Sequence, residues 1–259
     1  MKKQTWIVVH LLLLAALLGM ALVFYATTAG PGVGGDATIY LTSARNLISG
    51  NGLGWTEADG SFRILPYTPP FYPIMLSGLA LFVKDLVSGA RWFNILLFGS
   101  TIVLAGWFFY RFTGRAWLAV LLGGLLAASP ALLGVQVWAM SESQFLFLGF
   151  AGLLALLEYF ECPRTLTLIG ASLLCGLAFL SRYIGVAFVA TGGLALLLLG
   201  KGADRRVRLS LRWPALREGL LFGIVAVVPM LIWLAVDFAA TGTVGSRSGQ
   251  PAAAYWQRF

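Results

Sequence analysis

Near its start the chain reads WIVVHLLLLAALLGMALVFY, residues Trp6–Tyr25, and the rest of its architecture follows from runs of this kind. The run holds no acidic residue, lysine or arginine, and its length suits a transmembrane helix, which needs roughly 17–25 apolar residues. Over the whole chain 59% of residues are hydrophobic and 11% are charged, whereas soluble globular proteins carry about 25% charged residues. The sequence therefore predicts a membrane protein and excludes a soluble enzyme.

Similar uncharged runs recur along the chain. They are Trp92–Tyr110, Ala116–Ser141, Ser143–Leu157, Thr165–Ser181, Tyr183–Gly200 and Gly219–Val236. The fourth span must extend past the Ser143 run towards Phe160, because it is otherwise too short to cross a bilayer. At membrane depth only helices satisfy every backbone polar group within such runs. The sequence thus predicts an all-α polytopic membrane protein of about seven transmembrane helices.

Lysine and arginine predict the orientation. Eleven of the 18 basic residues fall in four short segments, which lie on one side of the membrane if Lys2 and Lys3 do. The positive-inside rule then places the N-terminus and a basic loop, residues 201–218, in the cytoplasm. The plasma membrane of a bacterial or archaeal cell is the expected location. The net charge of +8 is explained by this asymmetry and by attraction to anionic membrane lipids, so nucleic-acid binding is not expected.

We expect one membrane-embedded domain over residues 1–259. Its longest polar part is the first extracytoplasmic loop, residues 27–90. Residues after Asp237 do not return to the membrane, so the chain is either the N-terminal part of a longer protein, truncated after residue 259, or ends in a short outer tail. The single histidine, His10, lies near the inner end of the first span, which excludes a histidine triad on the outer face. Cys162 and Cys175 have no metal or redox spacing and are expected to be packing residues.

The first loop has internal structure of its own. Asp36 stands where an N-cap would, ahead of a helix over Ala37–Ser49. A polar turn with Glu57 and Asp59 follows, and the prolines between Pro66 and Pro73 predict an extended path. Ile74–Val83 is apolar but too short to span, so we expect an interfacial helix with Pro73 as its first residue. The glycines between Gly30 and Gly35 indicate a flexible exit from the membrane.

Four outer-side residues have potential chemistry. Asp36 fits either a helix cap or a general base, and the two roles are compatible. Glu142 opens the fourth span, where an ionisable group usually faces the bundle or a water-filled cavity. Arg182 lies between two spans with no acid near it in sequence, which fits either snorkelling to the interface or phosphate binding. Arg247 in the tail is a second candidate for phosphate binding.

These residues resemble the first outer loop of the GT-C superfamily of membrane glycosyltransferases, especially its protein mannosyltransferase and aminoarabinose transferase branches. The loop motifs that carry the resemblance are Gly35-Asp36, Tyr40, Ala44-Arg45-Asn46-Leu47, Gly50 and Pro69-Pro70-Phe71-Tyr72-Pro73. Later motifs are Ser141-Glu142, Arg182-Tyr183-Ile184-Gly185, Trp233, Thr241-Gly242 and Gly245-Ser246-Arg247. Two departures are Val236-Asp237, where relatives often have Arg-Asn, and the absence of further spans found in longer members.

The resemblance implies transfer of a sugar, hexosyl or pentosyl, from a polyprenyl-phosphate donor to a lipid, protein or glycan acceptor on the outer face. Asp36 is then the catalytic acid of the first loop, and Tyr40, Glu142, Arg182 and Arg247 are the predicted substrate-binding residues. One base suffices for the acceptor hydroxyl, because the phosphate monoester that leaves has a second pKa of about 6. Positive charge comes from Arg182, Arg247 or a divalent cation, Mg²⁺ or Mn²⁺. Direct attack inverts the anomeric carbon.

Two other functions remain open at this point. A transporter or flippase of lipid-linked sugars is the alternative, although its substrate site is expected near the bilayer midplane and not at the outer rim. A non-catalytic scaffold leaves Asp36 and the proline-rich loop unexplained.

Overall fold

A computed structural model describes residues 2–56, 60, 62–64, 68–199 and 213–241. Within these ranges the chain is helical apart from loops, one 3-10 turn and a small hairpin. The helices are α1 (Lys2–Ala26), α2 (Asp36–Ile48), α3 (Phe71–Leu79), α4 (Leu86–Thr113), α5 (Ala116–Ala128), α6 (Pro130–Gln136), α7 (Glu142–Glu161), α8 (Thr165–Ser181), α9 (Val186–Leu198) and α10 (Trp213–Thr241). The all-α polytopic prediction is therefore confirmed.

The described helices account for all seven predicted runs, but not as seven equal spans. Helices α1, α4, α7 and α10 are each long and apolar enough to cross a membrane, whereas α8 and α9 are shorter apolar helices. The run Ala116–Ser141 is not one continuous helix, because α5 and α6 meet at a bend of 54°, which makes the pair either one broken span or a re-entrant loop. The bend has a local cause: Ser129 leaves the helix in an extended conformation and caps α6, whose first residue is Pro130.

The spans pack in chain order. Helix α1 lies against α4 and α5, α4 against α7, α7 against α8, and α8 against α9 and α10. Small residues permit the closest approaches, as is usual between membrane helices. At Gly176 a Cβ atom would lie only 2.7 Å from the backbone oxygen of Ala226, so α8 and α10 touch there backbone to backbone. Cys175 is fully buried in this part of the core, but Cys162 is exposed, so the packing prediction fails for Cys162.

The first loop folds onto the ends of the neighbouring helices. Strands β1 (Gly54–Thr56) and β2 (Phe62–Ile64) form an antiparallel hairpin in place of the predicted simple turn. The side-chain amide of Asn46 donates to the carbonyl oxygen of Gly54 at 2.9 Å and ties the hairpin to α2. Glu57 and Asp59 lie outside the described residues. The interfacial helix also differs from its prediction: α3 begins at Phe71, so Pro73 is its third residue, and it ends at Leu79.

Two helices begin inside predicted loops. Helix α4 begins at Leu86, so residues 86–90 of the predicted first loop are helical. Helix α10 begins at Trp213, so only residues 201–212 of the basic segment precede it, and these lie outside the described residues. Aromatic packing joins the two helices of the first loop and attaches them to α4, because the rings of Tyr40 and Tyr72 meet edge to face at 5.2 Å and the ring of Tyr72 stacks with Phe93 at 6.4 Å.

Candidate functional site

Asp36 is the first residue of α2, and Gly35 is the residue that precedes the helix. Gly35 has a φ of 53°, which favours glycine. No side chain caps this helix, so the prediction that Asp36 is its N-cap is wrong. Its carboxylate is half-buried, and no hydrogen bond to it comes from the part of the chain that the structure describes. A carboxylate left unbound in this way can accept a proton from a substrate hydroxyl.

The glycine-rich segment before Asp36 is fixed in place and does not form the flexible exit that the sequence indicates. The backbone N–H of Gly32 donates to the carbonyl oxygen of Val137 at 2.7 Å, and that of Ala139 donates back to Gly32 at 3.0 Å. The indole of Trp138 covers Gly32, where a Cβ atom would lie 2.6 Å from the ring. A larger residue than glycine would therefore separate the two segments. This pairing brings Asp36 towards the start of α7.

A cluster of four side chains lies against α2. It consists of Tyr40, Ser141, Glu142 and Arg182. The hydroxyl oxygens of Tyr40 and Ser141 lie 3.2 Å apart, and both side chains are buried. Arg182 contacts Ser141 Oγ at 3.3 Å and Glu142 Oε1 at 2.6 Å, in both cases through Nη1. The structure thus brings together three of the predicted site residues, Tyr40, Glu142 and Arg182, from three separate elements. It also pairs Arg182 with an acid, although none is near it in sequence.

The backbone around Arg182 is tightly constrained. The residue follows the end of α8 in an extended conformation, and its carbonyl oxygen accepts from the N–H of Gly185 at 2.8 Å. A Cβ atom on Gly185 would lie 2.5 Å from the Cα atom of Phe179, so the turn can fold back on α8 only with glycine there. On the other side, the side-chain amide of Gln144 donates to Ser181 Oγ at 3.1 Å. These contacts fix the backbone position from which the Arg182 side chain projects.

The contacts of Arg182 leave one edge of its guanidinium available. Nη1 donates a hydrogen bond to Ser141 Oγ and forms an ion pair with Glu142 Oε1. Nε and Nη2 meet no acceptor among the residues described, and a third of the side chain is exposed. Nε–H and Nη2–H point in parallel, which is the fork that binds two oxygens of one phosphate. The arrangement therefore suits a phosphate ligand.

Electrostatics at the cluster favours a neutral phenol. Burial raises the pKa of Tyr40 to about 12, the contacts with Ser141 and Arg182 oppose this shift, and Asp36 and Glu142 add to it. Asp36 is therefore close enough to influence Tyr40. At physiological pH Tyr40 carries its proton and acts as a hydrogen-bonding group, not as a base.

Two buried residues that were not predicted contribute to the site. Ser141 is the hydroxyl on which Tyr40 and Arg182 converge. Asn94 in α4 donates to the carbonyl oxygen of Trp138 at 2.8 Å and accepts from Tyr72, which joins α3 to the Trp138 segment. An asparagine inside an apolar span was the signal for it in sequence. Asp237 in α10, which the sequence did not single out as a site residue, is also fully buried.

An open apolar pocket of about 600 Å³ lies next to Asp36. Its lining consists of small and apolar residues, namely Gly34, Gly35, Ala131, Gly134, Val135, Trp138 and Met140. Gly35 directly precedes Asp36, and Met140 directly precedes Ser141, so the pocket adjoins the cluster. An apolar part of a substrate can approach Asp36 from this side.

Two predictions about the ligands of the site stay predictions: phosphate binding by Arg247 and a bound divalent cation. Arg247 lies outside the described residues. For the predicted Mg²⁺ or Mn²⁺ ion, the described residues contain no group of three or more histidine, cysteine, aspartate or glutamate side chains that could hold a metal.

One comparison with known proteins gives a match. Residues 46–243 fit the family model described as dolichyl-phosphate-mannose-protein mannosyltransferase, which spans more than half of the chain. Glu142 and Arg182 lie within the matched range, whereas Asp36, Tyr40 and Arg247 lie outside it. No curated protein and no solved structure matches the chain.

Proposed function

The chain belongs to the dolichyl-phosphate-mannose-protein mannosyltransferase family, a GT-C family of membrane glycosyltransferases with polyprenyl-phosphate sugar donors, and we propose that Asp36 and Arg182 carry out its transfer reaction. Asp36 is the general base and Arg182 binds the donor phosphate. The observation that carries this proposal is the cluster around Ser141, which joins α2, the helix that Asp36 begins, to the guanidinium of Arg182.

The reaction proceeds in one displacement. Asp36 takes the proton of the acceptor hydroxyl as its oxygen bonds to the anomeric carbon. The bond from that carbon to the phosphate oxygen breaks on the opposite face, so the configuration inverts. The polyprenyl phosphate leaves as a monoester dianion, whose low second pKa removes the need for a general acid. Arg182 stabilises the developing charge through its free Nε–Nη2 edge.

The other substrate assignments rest on the family and on the pocket. The family name favours mannose, a hexose, over a pentose. A lipid, protein or glycan acceptor places its hydroxyl at Asp36 with its apolar part in the pocket beside Gly134. The outer face of the plasma membrane, with the N-terminus in the cytoplasm, is the proposed setting. Arg247 or a divalent cation is the second source of positive charge, and loss of transfer with a chelator that Mn²⁺ reverses would identify the cation.

Replacing Asp36 tests the base. Asp36→Asn keeps the shape of the side chain but cannot accept the proton, so we expect turnover to fall by about 10²–10⁴. Sugar transfer is measured with purified full-length protein in detergent. Equal melting temperatures of wild type and variant show that the substitution has not destabilised the fold. Because detergent removes both compartments, a flippase would give no product in this assay, so the alternative function is tested as well.

Asp85→Asn is the matched control for Asp36→Asn. Asp85 lies in the same outer loop and caps α4 by accepting from the N–H groups of Val87 and Ser88. Asparagine caps helices about as well as aspartate, so this variant should transfer at the wild-type rate. If Asp36→Asn behaves like the control, Asp36 is not the base.

A further inference from the structure

The start of α7 is a buried polar segment that binds four other parts of the protein. Ser141, Ser143 and Gln144 are each at most 2% exposed. Their side-chain partners are Tyr40 and Arg182 for Ser141, Arg182 for Glu142, Gln136 for Ser143, and Ser181 for Gln144. Within a membrane protein, buried polar groups of this kind are retained where they fix the geometry of a site.

Ser141 holds the central place in this segment. Arginine has no acceptor, so Ser141 Oγ must accept from Arg182 Nη1 at 3.3 Å. The second contact of Ser141, to the Tyr40 hydroxyl at 3.2 Å, is open to either direction of donation. One hydroxyl therefore connects α2 with the end of α8. Neither partner is near it in sequence: Tyr40 is 101 positions away and Arg182 is 41.

Two consequences follow for the reacting groups. Tyr40 comes four residues after Asp36 and lies on the same face of α2, so a contact that holds Tyr40 also holds the helix turn from which Asp36 projects. Without Ser141, Nη1 of Arg182 would keep only Glu142, and the guanidinium plane could rotate about that single contact. With both acceptors present, the plane is fixed and the Nε–Nη2 edge has one direction.

We propose that Ser141 is a positioning residue that sets the Asp36 carboxylate and the Arg182 guanidinium in register for transfer. This inference rests on the proposed function. Ser141 does not touch the reacting atoms; it acts through Tyr40 and Arg182. Its effect should therefore appear mainly in kcat, because misplaced catalytic groups slow the reaction more than they weaken ground-state binding.

A double-mutant cycle on transfer activity tests the inference. Ser141→Ala should lower kcat by about 10-fold or more, the usual effect of removing a hydrogen bond to a charged group, while the KM for the donor changes little. In the Arg182→Ala background the same change should cause a smaller fold-loss, because one of the two groups that Ser141 orients is gone. Equal fold-losses in the two backgrounds, or a full wild-type kcat for Ser141→Ala, would overturn the proposal.

Control variants separate positioning from stability. Ser172→Ala also removes a fully buried hydroxyl, one that donates only to the Leu168 carbonyl within α8, and it should leave kcat unchanged. If Ser141→Ala fails to fold, Tyr40→Phe removes one of the two contacts from the other side and keeps the ring in its packing. It should lower kcat by a smaller factor, and an unchanged kcat would count against the proposal.

The single variants also distinguish the two proposals. An impaired Arg182→Ala with a normal Ser141→Ala would overturn only the positioning role. A fully active Arg182→Ala would overturn the phosphate-binding role of Arg182 and the positioning role together.

Discussion

Arg182 offers the sharpest test of how the leaving group is stabilised. Arg182→Lys keeps a positive charge but replaces the planar fork with a single nitrogen, and Arg182→Ala removes both charge and fork. The two parts of the guanidinium have different contacts. Nη1 contacts Glu142 and Ser141, and the Nε–Nη2 edge is available for phosphate. A single lysine nitrogen cannot contact Glu142 and Ser141 and also bind two phosphate oxygens in the same geometry.

The expected magnitude follows from these contacts. A bidentate phosphate contact supplies two charge-assisted hydrogen bonds, each worth about 1.5–3 kcal/mol. We use the lower value, since 33% of the Arg182 side chain is exposed and solvent weakens the interaction. Two such bonds total about 3 kcal/mol, which is about a 10²-fold loss of rate for Arg182→Ala. Lysine keeps about half of this stabilisation, so we expect about a 10-fold loss for Arg182→Lys.

Initial rates of sugar transfer measure both variants. Donors that differ in the basicity of the leaving phosphate separate the proposed role from a general one, since the loss should be larger with the poorer leaving group. Removing Arg182 also leaves Glu142 without its ion-pair partner. Because only 19% of the Glu142 side chain is exposed, this loss can destabilise the fold, so melting temperatures must be recorded. Arg45→Ala is the control, because Arg45 is an exposed arginine on α2 outside the cluster.

Equal activity for wild type, Arg182→Lys and Arg182→Ala would refute the assignment. Arg182 would then be a snorkelling anchor at the membrane boundary, and the charge would have to come from Arg247 or a divalent cation.

Three more predictions concern the pocket, the buried tyrosine and the topology. Gly134→Leu should fill the pocket and raise the KM for the acceptor several-fold without loss of folding, since a Cβ atom there meets no other atom within 4 Å; an unchanged acceptor KM would mean that the acceptor binds elsewhere. The raised pKa of Tyr40, about 12 against 10.0 for a free tyrosine, predicts a contribution to stability that is complete below pH 10 and lost as the pH rises through 12. Melting temperatures across that range should fall less for Tyr40→Phe than for wild type. Cysteines introduced at Asp59 and Gly249 should react with an impermeant thiol reagent added to intact cells, and one at Asp204 should not; the reverse pattern would invert the topology.

The helices were largely predictable from the sequence because their cause is local. Backbone groups in lipid must bond within their own segment, so an uncharged run of sufficient length becomes a helix whatever surrounds it. Thr165–Ser181 was predicted as a run and is found as α8 with the same bounds. Where the prediction failed, a local signal had been given too little weight: Ser129-Pro130 ends α5, and Gly35 takes the place before α2 that was assigned to Asp36.

The site was only partly predictable, because its geometry depends on residues distant in sequence. Charge and position singled out Asp36, Glu142 and Arg182, but nothing in the sequence indicated that Glu142 binds Arg182. That pair forms because α7 and α8 pack side by side and bring the start of α7 close to the end of α8. Ser141 belongs to the Ser141-Glu142 motif at the start of α7, but nothing local in the sequence indicates which groups its hydroxyl binds. Only the tertiary structure gave it a role, by excluding water from its hydroxyl and leaving Tyr40 and Arg182 as its partners.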